Sequence, residues 1–357
     1  MTPSATILSK FEWNQAKWID AFCRVPALLI CLCLAIPFHE QAGGVVAAGA
    51  ALSVGLVGSR QIAGSPFLAM MATTFIMALS TWVGTLVGNN VAINLVVTAL
   101  WSLGFAFLTI HDEDSGWISM QGVICLVIAS AFPNHGYAAL ERGLAVLVGG
   151  MIQIAVLSMI GLLHRWFFSK TGAAQAEGPT PAMPTYKWKE FFNSFKTFSP
   201  AWRYALRVSL TLIVAVEIAG LLHIQNAYWL PMTTVIILKP DFYKTYAGAI
   251  QRVAGTFLGV VVASLIAHLF HPSLEWLILL VAVFSFGCFA LLKVNPIPFS
   301  AALTAYVVFL ISTTGLPETS ITGHRLMLTA LGCALALGSR VLGRQTMLLL
   351  FRDRLKN

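Results

Sequence analysis

Along the chain, long apolar runs alternate with short breaks made of Gly, Pro, Asn or charged residues. The runs are centred near Cys31, Gly49, Ala78, Leu100, Cys125 and Ile154 and, after a polar stretch from Ser169 to Arg203, near Val214, Val235, Val261, Leu280, Tyr306 and Cys333. Runs of this length with few charges read as helices for a bilayer, where every backbone polar group has to be satisfied within its own segment. The pattern predicts an all-α integral membrane protein of about twelve transmembrane helices, six on each side of the polar stretch. One run breaks the rule. Between Trp229 and Lys239 the sequence "WLPMTTVIILK" is closed by Pro231 at one end and by Lys239, Pro240 and Asp241 at the other. At about 1.5 Å per residue it reaches roughly half of a hydrocarbon core about 30 Å thick.

The segments that follow are 1–22, an amphipathic interfacial approach; 23–168, a first six-span unit; 169–203, a cytoplasmic linker and interfacial helix; 204–351, a second six-span unit; and 352–357, a basic tail. Residues 1–22 mix Lys10, Glu12, Lys17 and Asp20 with Phe11, Trp13, Trp18 and Phe22, which suits an interfacial helix and not a cleavable signal. In the middle, "GAAQAEGPTPAMPT" reads as a Pro/Ala/Gly linker, and "YKWKEFFNSFKTF" interleaves aromatics with lysines as a helix lying on the membrane does.

Composition supports this reading. The 357 residues are 58% hydrophobic and 10% charged, against about 25% charged in a soluble domain. No polar segment approaches domain size, so a soluble catalytic domain is not expected. If the N-terminus is cytoplasmic, 20 of the 22 Lys and Arg residues fall on the inner side, and only Arg142 and Arg325 fall outside. This asymmetry places both termini inside. The net charge of +8 then sets orientation and holds anionic headgroups, with no need for nucleic acid.

The two outer arginines are 183 positions apart (325 − 142), and Arg24 and Arg207, each opening a first span, have the same spacing (207 − 24). At this offset Ala72-Thr73 falls on Gly255-Thr256. The reading is two tandem six-helix parallel repeats framed by Arg24, Arg142, Arg207 and Arg325, against chance similarity in a Leu/Ala/Val-rich chain. Short or broken helices at corresponding places in two repeats point to a transport site. The second helix of each repeat is expected to be of that kind: one copy is rich in Gly and Ala (Ala42–Arg60), the other bracketed by prolines (Ala227–Phe242).

Candidate residues surround this segment. Arg252 lies inside the following apolar run, four before Thr256 and on the same helical face. Tyr228 and Trp229 suit either a headgroup belt or a ring-stacking role, and Lys239, Asp241 and Lys244 either a helix end or an anion site. Glu217, in "LIVAVEIAGLL", has no basic neighbour within a turn. It is a candidate proton carrier or arginine partner, against a neutral carboxyl bonded between helices. Gly84–Gly88 and Gly255–Gly259 have the GxxxG spacing that lets helices approach closely. Asp112, Glu113 and Asp114 suit a solvated loop better than a cation site. The six cysteines show no metal-ligand spacing, and no nucleotide, hydrolase or metalloprotease motif is present, so no catalytic residue, metal or cofactor is expected.

"YWLPMTTVIILKPDF" followed by "AGAIQRVAGTFLGVVVASLI" resembles the signature region of the fusaric acid resistance protein-like family, which includes bacterial aromatic acid exporters and, more distantly, plant aluminium-activated malate channels. The resemblance covers Tyr228 to Gly259; the first half keeps Ala72-Thr73 and the arginines but lacks the aromatic-proline motif. It implies a bacterial inner-membrane exporter of small organic anions, often aromatic carboxylic acids, driven by the proton gradient. Arg252, Lys239 and Arg207 would attract the carboxylate, Tyr228 and Trp229 would stack on the ring, and Thr256 and Asp241 would complete the site. Some such pumps work with a periplasmic adaptor and an outer-membrane channel, and a homo-oligomer is left open. Two other readings compete: a passive anion channel, with a basic pathway and no proton carrier, and a non-transporting membrane scaffold or assembly factor.

Overall fold

The computed structural model describes residues 11–38, 40–168, 200–316 and 318–354, and each apolar run is a helix there. A 3₁₀ turn, Trp13–Gln15, leads into α1 (Trp18–Ala35), which begins inside the segment assigned to the interfacial approach. Then come α2 (Gln41–Val57), α3 (Pro66–Val87), α4 (Val91–His111), α5 (Glu113–Ser130) and α6 (Tyr137–Phe168). After the polar stretch follow α7 (Pro200–Leu222), α8 (Trp229–Ile237), α9 (Phe242–Phe270), α10 (Leu274–Leu291), α11 (Pro296–Ser312) and α12 (Glu318–Arg354). The linker and interfacial helix expected over 169–203 lie outside the described residues up to position 199, as do positions 1–10 and 355–357.

Eight of these helices, α1, α3, α4, α6, α7, α9, α10 and α12, are long and apolar enough to cross a membrane, which makes the chain an all-α, multi-pass membrane protein. Twelve full-length spans are not present among the described residues. α2 and α11 have 17 residues each, α8 has 9, and α5 opens on Glu113 and Asp114. The second helix of each repeat is expected to be short or broken, and α2 is the former: at 17 residues it is a short apolar helix that runs unbroken from Gln41 to Val57, with most of its small residues buried against neighbours.

The bundle is dressed for lipid. Phe75, Trp82, Leu100, Leu163, Leu210, Leu265 and Trp276 are exposed on its outside, where a soluble protein would carry charge. Its inside is built from small and hydroxyl side chains, which let helices approach where lipid tails offer no hydrophobic drive for association. Thr73, Thr74, Thr85 and Thr234 are buried and donate to the carbonyl four residues back, so their hydroxyls need no other partner.

Helix contacts recur in both halves. α3 packs on α5 and α6, as α9 packs on α11 and α12; α2 packs on α1 and α6, as α8 packs on α7 and α12. Between the halves α4 lies against α7 and α10 against α1. The GxxxG pairs make two of these contacts: Gly84 and Gly88 face the Leu126 and Ser130 carbonyls of α5, and Gly255 and Gly259 face Ile297, Ser300 and Ala301 of α11. Gly149 sits on the Ala47 backbone and Gly332 on the Leu230 carbonyl. Both partners of the second contact lie 183 positions after those of the first (332 − 149 and 230 − 47).

Candidate functional site

The short helix explains itself locally. Asn226 takes a left-handed conformation (φ 61°), which asparagine tolerates, and turns the chain from α7 into Tyr228. Pro231 sits in the first turn of α8, where its missing N–H costs nothing. Pro240 disfavours helix at the residue before it, and Leu238 is already extended (ψ 111°). Asp241 then caps α9, accepting from the Lys244 N–H at 2.9 Å. Thr245 ties the turn together, its Oγ1 accepting from the Lys239 N–H at 3.1 Å and donating to the Asp241 carbonyl at 2.9 Å. With α8 ended so early, its face towards the first half borders open space.

That space is a cavity of about 810 Å³ between the two halves, walled chiefly by α2, α5, α8 and α11. These are the four helices that are too short or too polar to count as full spans. Tyr306 of α11 is wholly buried in its wall and donates to the Ala48 carbonyl of α2 at 3.2 Å, joining the halves. Most of the surface is apolar, with Met120, Met232, Phe299 and Leu303 among the lining residues. Among the described residues four cationic side chains line it, Arg60, Arg142, Lys239 and Arg252, and no carboxylate does.

The four cations differ in their surroundings. Arg60 is paired with Asp114 at 2.9 Å and lies 3.7 Å from Glu113. The acidic cluster thus has structural work, since Asp112 also caps α5 through the Ser115 N–H at 2.7 Å. Lys239 lies at the same mouth; burial pulls its pKa below the ordinary lysine value, while the Glu113 charge acts the other way. Arg142, at the opposite mouth, is half-buried and donates to the Phe132 carbonyl. Arg252 is the buried one. Only 7% exposed, it donates from Nη1 to Ser300 Oγ at 3.3 Å, its Nε finds no acceptor, and no described carboxylate pairs with it.

The residues expected at the site divide accordingly. Arg252, Lys239 and Tyr228 line the cavity. Trp229 and Thr256 are buried just outside its wall, and the Thr256 Oγ1 has no partner. Asp241 is a helix cap beyond the mouth. Arg207 and Glu217 sit half-buried on α7, and neither reaches the cavity. The framing arginines Arg142 and Arg325 are joined across one end of the bundle. Arg142 donates to the Phe132 carbonyl, the Phe132 ring lies 5.6 Å from Tyr228, Tyr228 packs edge-on against Trp229 at 5.8 Å, and the Arg325 guanidinium lies 4.6 Å from the Trp229 ring centre. Arg24 instead donates to the Gly55 carbonyl at the far end of α2.

Sequence reasoning missed Arg60, Gln121, Ser300 and Tyr306 as lining residues. Arg60 was visible only as one more inner cation. Gln121 and Ser300 are lone polar residues in apolar helices, a weak signal, and nothing in the local sequence of Tyr306 tells of a contact with α2.

The fusaric acid resistance protein-like family matches residues 213–338, which hold the last ten residues of α7, all of α8 to α11 and the first 21 residues of α12. A protein of Haemophilus influenzae is 32% identical over 146 residues, 41% of this chain and 20% of the relative. The inner membrane protein YccS of Escherichia coli is 25% identical over 42% of this chain and 20% of its own length. The uncharacterized transporter YdhK of Salmonella typhimurium is 30% identical over 87 residues, 24% of this chain and 12% of the relative. The chain thus spans about a fifth of the length of the first two relatives. No solved structure matches. The signature read from Tyr228 to Gly259 lies wholly inside the matched stretch, and residues 213–338 of this chain are similar to the fusaric acid resistance protein-like family.

Proposed function

We propose that the chain is an inner-membrane efflux transporter for small organic anions, with aromatic carboxylic acids as the substrate class and the proton gradient as the driving force. The observation that carries this reading is Arg252: a guanidinium in the wall of a largely apolar cavity, with an N–H that finds no acceptor and no acidic partner among the described residues. A buried cation left unpaired is costly unless an anion visits it, and a guanidinium fork matches a carboxylate. The apolar walls and the Tyr228 and Phe299 rings suit an aromatic body behind that carboxylate. Lys239 and Arg60 mark the cytoplasmic mouth and Arg142 the outer one, with both termini inside. We further propose two tandem six-helix parallel repeats, supported by the helix pairings common to both halves and by the two glycine contacts 183 positions apart. The names of YccS and YdhK support the location and the transport role. A periplasmic adaptor, an outer-membrane channel and a homo-oligomer belong to the same reading.

Proton coupling rests on Glu217, and one observation favours a passive anion channel instead: no carboxylate lines the cavity among the described residues. Proteoliposomes loaded with a panel of aromatic and aliphatic carboxylates, with the pH gradient and membrane potential imposed separately, decide between them. The exporter predicts movement of aromatic acids that requires the pH gradient, and loss of that dependence in Glu217→Gln at unchanged expression. Movement that follows the potential alone selects the channel, and wild-type proton-coupled rates in Glu217→Gln take this residue out of the mechanism.

A further inference from the structure

Arg207 lies outside the cavity, and its surroundings suggest another role, independent of transport. The first-half arginine at the matching position, Arg24, is occupied: it donates to the Gly55 carbonyl at the end of α2. The corresponding carbonyl of the second half, 183 positions on (238 − 55), is that of Leu238. It is taken instead by Tyr204, whose hydroxyl donates to it at 3.3 Å. Arg207 is thereby released. Its guanidinium lies 5.3 Å from the Tyr204 ring centre, and its Nε and Nη2 have no acceptor among the described residues.

A second arginine stands close by. Arg340 of α12 donates to the Pro240 carbonyl in the turn after α8, leaves its own Nε without an acceptor, and is near enough to Arg207 for their like charges to repel. Neither has an acidic partner among the described residues. Two half-buried guanidiniums with free N–H edges are held together against their repulsion by the α7–α12 packing. The face of α7 beside them, Leu206, Leu210 and Val214, is 44–61% exposed and apolar, as a surface against acyl chains is. Arg207 sits seven residues past Pro200, about 10 Å along the helix, near the depth where a long cationic side chain reaches the headgroup layer.

We infer that Arg207 and Arg340, with Tyr204 behind them, form a binding site for the phosphate of an anionic lipid headgroup, whose acyl chains lie along Leu206, Leu210 and Val214. The phosphate supplies the acceptors that both guanidiniums lack and cancels their repulsion. It also stabilises the turn that carries Lys239, because Arg340 and Tyr204 hold the Pro240 and Leu238 carbonyls on either side of it.

The test is titration of the purified full chain in neutral detergent with dioctanoyl phosphatidylglycerol, dioctanoyl phosphatidylcholine and inorganic phosphate, followed by thermal unfolding. Phosphatidylglycerol is expected to raise the unfolding temperature saturably and phosphatidylcholine to leave it unchanged. Arg207→Gln and Arg340→Gln should each weaken the apparent affinity for phosphatidylglycerol about tenfold, the loss of one charge-assisted contact. Arg24→Gln, whose arginine is already occupied, should not change that affinity. A stabilisation by inorganic phosphate lost in the same two variants would establish the anion site but assign it to free phosphate. Equal phosphatidylglycerol affinities in the wild type, Arg207→Gln and Arg340→Gln would overturn the proposal; if Arg207→Gln fails to fold, Arg340→Gln alone decides.

Discussion

Replacing Arg252 with alanine is expected to raise the half-saturating concentration of the transported anion about 10- to 100-fold, the span of losing one or two charge-assisted hydrogen bonds worth roughly 1.5–3 kcal/mol. The size of the effect follows from position. Arg60 shares its charge with Asp114 and Glu113, and Arg142 lies at the opposite mouth bonded to the Phe132 carbonyl, so neither replaces a buried guanidinium in the wall. Arg252→Lys should recover part of the affinity, because lysine restores charge without the two-pronged edge. The effect belongs in the concentration dependence measured on reconstituted protein. Unchanged half-saturation in Arg252→Ala would place this residue outside the anion's path.

The second large effect is structural. Gly332→Leu and Gly149→Leu should each destabilise the folded chain by about 1–3 kcal/mol, because a side chain there meets the backbone of Leu230 or Ala47 and the helices have to part. A repeat predicts more than damage: the two variants should lose similar amounts of thermal stability in the same detergent, since the α6–α2 and α12–α8 contacts correspond. Gly161→Leu and Gly338→Leu, where open space surrounds the glycine, serve as controls and should be near neutral. A large loss at one of the two positions and none at the other would argue against equivalent halves.

The sequence carried most of the helix order, because each apolar run is marked by its own composition and punctuated by Gly, Pro or charge. The place of α8 was legible for the same local reason: Pro231 and the Lys239-Pro240-Asp241 turn set its limits without help from the rest of the fold. Where tertiary packing decides, the reading thinned. Gly/Ala richness suggested a short or broken α2; the helix is short, but its small residues serve close packing on α1 and α6 and it runs through without a break. Four runs that looked like further spans line a cavity instead, a property of the assembled bundle that no single run displays.

The candidate site shows the same division. Arg252 was conspicuous because a cation inside an apolar run is rare, and it does face the cavity. Arg207 and Glu217 were conspicuous on the same grounds, but α7 turns them away from it. Charge in an apolar helix announces that a polar environment exists without saying which side of the helix provides it. Asp114, Gln121 and Tyr306 acquire their roles from partners 54 to 258 residues away or from the cavity itself, so local sequence is silent about them.

The central claim is that an organic anion occupies the cavity between the halves. Its most direct test is chemical labelling of Met232→Cys, a position in the α8 wall, with small thiol reagents of opposite charge, read by peptide mass so that the six native cysteines are followed separately. The cavity's uncompensated cation predicts faster labelling by the anionic reagent than by the cationic one. It also predicts protection by an aromatic carboxylate at Met232→Cys but none at Val262→Cys, on the exposed outer face of α9. Labelling at position 232 with no charge preference and no protection by any carboxylate would contradict the account.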